Sequence, residues 1–214
     1  SLLGWCIAII RIVPLFIVLF GGLLILLLLR IFEKPLFGHK RPITSLLTQA
    51  VCKISLRIMG IKYQIVGRPM TKNGAVVANH SSWLDIFTLN AAQCVYFVSK
   101  SEVAAWPGIG WLARAAGTVF IKRDRLQAKL QSNVLSSRFQ MGHKLLFFPE
   151  GTSTDGQQVL SLKSTLFAAL FEQSLKNIIH VQPVSVVYKA PKGCDERFYG
   201  WWGDMAFDAH FLLT

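Results

Sequence analysis

The chain has 214 residues, 52% of them hydrophobic, and 23 Lys and Arg against 11 Asp and Glu give a formal charge of +12. That length allows one α/β domain plus a membrane element, and a mean hydropathy of +0.44 is high for a domain lying wholly in water. The four cysteines (Cys6, Cys52, Cys94 and Cys194) have neither metal-ligand spacing nor a disulfide framework, which argues against a disulfide-stapled or zinc-held fold and fits a reducing compartment.

The apolar excess sits at the N-terminus. Ile12 to Leu29 is a run of 18 uncharged residues, which as a helix spans ~27 Å, near the thickness of a bilayer's hydrocarbon core. It is apolar all round, as expected of a membrane anchor and not of a one-faced core helix. It is also too long for a cleaved leader, and no small-residue cleavage site follows. Pro14 and Gly21-Gly22 allow a kink, so both a full span and a dip into one leaflet stay open. Arg30, Lys34, Lys40 and Arg41 follow at once, and the positive-inside rule places this end in the cytoplasm. The same basic balance suits an anionic membrane surface, and no nucleic-acid-binding motif accompanies it. A second helix is expected over about 44–59. Leu47, Ala50, Val51, Ile54 and Ile58 share one face and Lys53 and Arg57 another.

From residue 62 onward short apolar runs alternate with helical stretches. Strands are expected at Tyr63–Val66, Ala75–Ala78, Val95–Val98, Thr118–Ile121, Leu145–Phe148 and Val181–Tyr188, and helices near Trp83–Ala92, Leu126–Gln140 and Ser164–Leu175. This alternation predicts an α/β domain with a mixed, largely parallel sheet flanked by helices, behind the N-terminal hydrophobic helix and the amphipathic one. The expected partition is 1–31 for the anchor, 32–61 for the basic linker and amphipathic helix, and 62–214 for the catalytic domain.

Ligands of such sheets gather beyond the carboxyl ends of the strands. Three polar turns follow apolar runs in that way. The first is Asn79-His80-Ser81-Ser82-Trp83-Leu84-Asp85. A carboxylate five residues after a histidine, on the first turn of the next helix, can reach back to the imidazole and make it a general base near neutral pH. Taken alone the stretch is equally a capping box, with Ser82 as N-cap and Asp85 at N3, and His80 as an ordinary loop residue. The second turn is Lys122-Arg123 and the third is Glu150-Gly151-Thr152.

Together these blocks resemble the lysophospholipid acyltransferase family, the PlsC-type glycerolipid acyltransferases, also described as 1-acylglycerol-3-phosphate acyltransferases. Asn79-His80-(x4)-Asp85 resembles the family's NHxxxxD block, Gly117-Thr118-Val119-Phe120-Ile121-Lys122-Arg123 its second, Phe148-Pro149-Glu150-Gly151-Thr152 its third and Val181-Gln182-Pro183-Val184 its fourth. Lys100-Ser101-Glu102-Val103 with Pro107-Gly108 resembles the segment between the first two. The similarity runs from about residue 60 to 205. It implies a membrane-bound O-acyltransferase with His80 and Asp85 as the catalytic pair. Lys122, Arg123, Glu150, Gly151, Thr152, Lys100 and Lys163 would then contact substrate. The donor would be acyl-CoA or acyl carrier protein, and the acceptor a lysophospholipid, with membrane lipids as partners. No cofactor, metal or nucleic acid is expected.

The acceptor implied first is 1-acyl-sn-glycerol-3-phosphate. Many phosphatidic-acid-forming members carry Arg after Glu-Gly-Thr, whereas this chain has Ser153, with Lys163 as a candidate replacement. The segment Tyr199-Gly200-Trp201-Trp202-Gly203-Asp204-Met205, with His210, resembles a subgroup that includes lyso-ornithine lipid acyltransferases, which makes lyso-ornithine lipid the alternative acceptor. Family members usually continue beyond this point, so the catalytic domain is expected to be C-terminally incomplete. The implied location is the bacterial inner membrane, active site toward the cytoplasm. A serine hydrolase would need a G-x-S-x-G elbow around Ser81 or Ser82, and none is present. An inactive lipid-binding scaffold would show a broken His-Asp pair, whereas a thioester hydrolase would release fatty acid without needing a lysolipid.

Overall fold

The computed structural model describes residues 2–122, 128–167, 170, 175 and 179–213. Helix α1 (Leu2–Phe37) and helix α2 (Thr44–Ile58) precede β1 (Gly74–Ala78), α3 (Asp85–Ala92), β2 (Tyr96–Lys100), a 3-10 turn (Ser101–Ala105) and α4 (Ile109–Ala116). Then come β3 (Val119–Ile121), α5 (Ala128–Gln140), β4 (Lys144–Phe147), α6 (Ser164–Phe167), β5 (His180–Val184) and α7 (Phe207–Leu213). The described residues form a sheet of order β3-β2-β4-β1-β5 in which every pairing is parallel. All strand carboxyl ends therefore face one edge, as the α/β alternation predicts.

The central strands β1 and β4 are covered on both faces, so Ala75–Ala78 and Leu145–Phe147 are apolar throughout and not alternately polar, whereas the edge strand β5 is largely exposed. Ala75, Leu145 and Phe147 point to one side with Tyr96, Val98, Leu135 and Phe139. Val76, Ala78 and Leu146 point to the other with Leu89, Val95 and Phe97. Glycine is required where β1 begins. Gly74 has φ +148°, and a Cβ there would lie 1.9 Å from the His180 carbonyl oxygen.

The N-terminal helix is longer than the apolar run suggests, continuing through Arg30 and Lys34 to Phe37. It packs antiparallel on α2. A Cβ on Gly22 would stand 2.7 Å from Val51 Cγ2, and one on Gly60 would stand 3.0 Å from Arg11 Nη2. Gly22 thus admits a close helix crossing. At the other end the buried Glu33 ties the pair together: Oε1 accepts the Ile43 and Thr44 N–H groups at 2.7 and 3.0 Å, and Oε2 accepts Thr44 Oγ1 at 2.6 Å and Arg30 Nη1 at 3.0 Å. A carboxylate from one helix thereby caps the amino end of the next. Helix α2 joins the domain through Cys52 and Leu56, which pack with Ala91 of α3. The opposite side of α1 stays uncovered, with Phe16, Ile17, Leu24, Leu28 and Phe32 exposed. The Ala8–Phe37 stretch is long and apolar enough to cross a membrane.

Two expected elements differ. Tyr63–Val66 is not a strand: Val66 is 91% exposed, and this segment has no ladder partner. Gly67 at φ +91° and Pro69 break it, and Gln182 instead pins the following turn through the Met70 N–H and the Arg68 carbonyl. The strand expected over 181–188 ends at Val184. The helix expected over 126–140 is described from Ala128, and of that expected over 164–175 the part through Phe167 is described as helix.

Candidate active site

The carboxyl end of β1 delivers the first block. His80 Nδ1 lies 2.7 Å from Asp85 Oδ2, with the His80 side chain 18% exposed and that of Asp85 fully buried. Asp85 is the first residue of α3, and Oδ2 also accepts the Ser81 and Ser82 N–H groups at 2.9 and 3.0 Å. The capping box is thus half realised. The carboxylate returns to the Ser82 N–H as expected, whereas Ser82 Oγ accepts from Leu84 N–H at 3.2 Å and the helix starts at Asp85 and not at Trp83. The capping and orienting roles coincide in one carboxylate. A carboxylate accepts, so in the neutral imidazole this contact favours the tautomer with the proton on Nδ1 and the lone pair on Nε2.

Neighbouring strands frame the histidine. The Phe148 ring, just past β4, stacks on the imidazole at 4.1 Å with 14° between the planes. The following turn docks on the same loop, since Thr154 N–H donates to the His80 carbonyl at 2.9 Å. Glu150 is buried, and Oε2 accepts the Leu160 N–H at 3.0 Å, so its carboxylate braces this turn. Gly151 takes φ +72°, Thr152 is exposed, and Lys163 returns to the turn through its N–H to the Pro149 carbonyl at 2.8 Å. The sheet therefore brings His80, Asp85, Glu150, Gly151, Thr152 and Lys163 to one region.

The expected cations on the far strands are more distant. Lys100 ends β2 opposite Ile121, and Lys122 is exposed directly after β3, its carbonyl accepting Gln131 Nε2 at 2.6 Å. Strand β3 is three places from β1, about 14 Å at a spacing of ~4.8 Å per strand. Long Lys side chains pointing inward would reach an extended ligand, not the imidazole. Arg123 lies outside the described residues.

Several contacts at the site go beyond what the motifs imply, among them those of Asn79 within the first block and of Tyr188, which belongs to no block. Asn79 Nδ2 donates to the Val186 carbonyl at 2.9 Å and Oδ1 accepts the Val186 N–H at 2.7 Å, which continues the β1–β5 pairing beyond Val184 through a side chain. This carries Tyr188 over the site, where its hydroxyl donates to Asp85 Oδ1 at 2.6 Å and lies 3.3 Å from Thr88 Oγ1. Burial, then the charge of Asp85, pushes the Tyr188 phenol well above its ordinary range, so it stays a neutral donor. From the C-terminal segment, Trp201 N–H donates to the Ser81 carbonyl at 2.8 Å. Trp83 Nε1 donates to His210 Nδ1 at 3.1 Å, and the Trp83 ring packs edge-on against Phe87 and Phe207. The aromatic tail therefore supports the loop carrying His80.

The acyltransferase family model matches residues 62–187. A protein of Rhodobacter capsulatus named lyso-ornithine lipid O-acyltransferase is 58% identical over 194 residues, covering 91% of this chain and 70% of that protein. A 1-acyl-sn-glycerol-3-phosphate acyltransferase of Neisseria gonorrhoeae is 37% identical over 115 residues, 52% of this chain and 45% of that protein. The crystal structure of the 1-acyl-sn-glycerophosphate (LPA) acyltransferase PlsC from Thermotoga maritima shares the fold, with a TM-score of 0.57 at 21% identity over 79% of this chain and 69% of that one.

Proposed function

This chain belongs to the acyltransferase family, and from that premise we propose that it moves a fatty acyl group from acyl-CoA or acyl carrier protein to the free hydroxyl of a lyso-ornithine lipid. The observation that carries the acceptor is the 58% identity to the Rhodobacter capsulatus enzyme, maintained over 91% of this chain. Ser153 agrees with it. A zwitterionic head group needs less positive charge than a phosphate, and the position after Glu150-Gly151-Thr152 carries none.

In the proposed mechanism His80 Nε2 takes the proton of the acceptor hydroxyl while its oxygen attacks the thioester carbonyl carbon. The tetrahedral intermediate collapses with cleavage of the C–S bond, and the imidazolium returns the proton to the departing thiolate. The products are the O-acylated lipid and the free thiol. Asp85 keeps the proton on Nδ1 and balances the imidazolium charge, the logic of the Ser-His-Asp triad with the substrate hydroxyl in place of the serine. General-base assistance of this kind is worth ~10²–10⁴-fold, and holding two lipids side by side adds the advantage of proximity. Lys100, Lys122, Arg123 and Lys163 would meet anionic groups of donor and acceptor, and Gly151 would let the turn approach them closely.

Helix α1 would be embedded in lipid from the cytoplasmic face. Between Arg11 and Glu33 its inner side is occupied by α2 and the turn that follows it, which belong to the domain, and its outer side is apolar. A helix packed in this way fits immersion in one leaflet better than a free crossing of the bilayer.

Lysophosphatidic acid is the second acceptor, supported by the 37% identity to the Neisseria gonorrhoeae enzyme. A labelled acyl thioester offered to both lysolipids side by side, with His80→Ala as blank, decides between them. Transfer mainly to lyso-ornithine lipid is expected. Transfer mainly to lysophosphatidic acid overturns the acceptor assignment and leaves the chemistry in place.

A further inference from the structure

Asp85 has two oxygens, and the mechanism above uses one. Oδ2 takes His80 and two backbone N–H groups. Oδ1, on a side chain with no solvent exposure, takes the Tyr188 hydroxyl at 2.6 Å, the length of a charge-assisted bond. Without that donor, Oδ1 would be a buried charged acceptor with one partner fewer, and the carboxylate would be held through Oδ2 alone.

The tyrosine is itself held from three sides. Asn79 clamps the backbone two residues earlier through both Val186 bonds, Thr88 Oγ1 lies 3.3 Å from the phenol oxygen, and the Tyr199 ring stands 5.8 Å from the Tyr188 ring. This arrangement crosses the sheet, tying the segment after β5 to the base at the end of β1.

We infer that Tyr188 is a positioning residue for acyl transfer: its hydroxyl fixes Asp85 Oδ1, and so sets both the direction and the basicity of His80. The inference rests on His80 acting as the general base. Among the described residues, the titratable groups around this pair come from three places. His80 and Asp85 come from the β1–α3 turn, Tyr188 and Tyr199 from the C-terminal side, and Glu150 from the turn after β4, its carboxylate engaged with the Leu160 N–H. Removing the phenol donor leaves more negative charge for the imidazolium to meet, so the imidazole becomes more basic.

The test is the pH profile of kcat/KM for the full chain in mixed micelles, with labelled long-chain acyl-CoA as donor and lyso-ornithine lipid and lysophosphatidic acid as acceptors. Tyr188→Phe should melt within a few degrees of the parent. Its acid limb should move upward by about half to one pH unit, and kcat on the plateau should fall about three- to tenfold with acceptor KM unchanged. Replacing Tyr188 with 3-fluorotyrosine, a more acidic donor of nearly the same size, should move the limb the other way and decides the matter if Tyr188→Phe does not fold. In an Asp85→Asn background the Tyr188→Phe change should move the limb no further. A limb unmoved in both Tyr188 variants, with His80→Ala inactive, overturns the role of Tyr188 alone. Transfer surviving in His80→Ala overturns the general-base reading beneath it.

Discussion

Replacing Asp85 by Asn separates the charge of this carboxylate from its shape. The amide oxygen can occupy the place of Oδ2 and keep the bonds from His80 Nδ1 and from the Ser81 and Ser82 N–H groups, now 2.7, 2.9 and 3.0 Å long. The NH2 group then faces Tyr188, whose hydroxyl has Thr88 Oγ1 at 3.3 Å as an alternative partner. The fold should therefore lose little, about 1–2 kcal/mol for a charged hydrogen-bond set turned neutral. The chemistry should lose far more. With charge centres about 4 Å apart and an effective dielectric of about 20, the carboxylate favours the imidazolium by about 4 kcal/mol. That corresponds to about 10³-fold in rate if the full charge develops at the transition state. The assay is single-turnover acyl transfer from a labelled thioester, alongside a thermal melt on the same preparation. A well-folded Asp85→Asn protein with transfer within tenfold of the parent would refute the claim that this charge supports the base.

Two further outcomes follow from groups remote from the base. Glu33→Ala removes a carboxylate that accepts four donors at the junction of α1 and α2, and should cost about 2 kcal/mol, lowering Tm in detergent by about 4–8 °C; an unchanged Tm would mean the helix pair is held by apolar packing alone. His143, buried against Tyr96 and next to Arg138 and Arg41, is pushed from its ordinary 6.5 down to about 4, first by burial and then by those cations. The unfolded chain therefore binds this proton more readily, so the contribution is fully present above pH 6.5 and is lost as pH falls toward 4, up to about 3 kcal/mol. Thermal melts between those limits should fall less steeply for His143→Phe than for the parent, and equal slopes would remove His143 from the acid response.

What the sequence makes legible here is what depends on near neighbours. The parallel strands announce themselves because a strand covered on both faces is apolar throughout, as in Ala75–Ala78 and Leu145–Phe148. His80 and Asp85 are five residues apart, so one turn of helix is enough to foresee their contact. Tyr63–Val66 has strand-like residues, but nothing local tells that the chain breaks at Gly67 and Pro69 and stays outside the sheet. The end of α1 was obscured because Arg30, Glu33 and Lys34 interrupt the apolar run without interrupting the helix. Glu33 turns inward to the start of α2, and Arg30 bonds the Gly38 carbonyl at 3.2 Å, so charges that suggest a membrane boundary also serve as internal ties. The Asn79–Val186 and Tyr188–Asp85 contacts are not legible for a topological reason. Their partners are 107 and 103 residues apart, and only the adjacency of β1 and β5 in the sheet brings them together. A polar residue ending each of two apolar runs was the one available hint.

In the proposed mechanism His80 Nε2 removes the acceptor's proton. The most direct test of that step is acyl transfer by a His80→Ala protein whose melting curve matches the parent, with free fatty acid release followed in the same tube. Transfer should fall by at least about 10²-fold for either lysolipid, with no rise in hydrolysis. Transfer within a few fold of the parent would contradict that mechanism and place the base elsewhere on the strand-end surface.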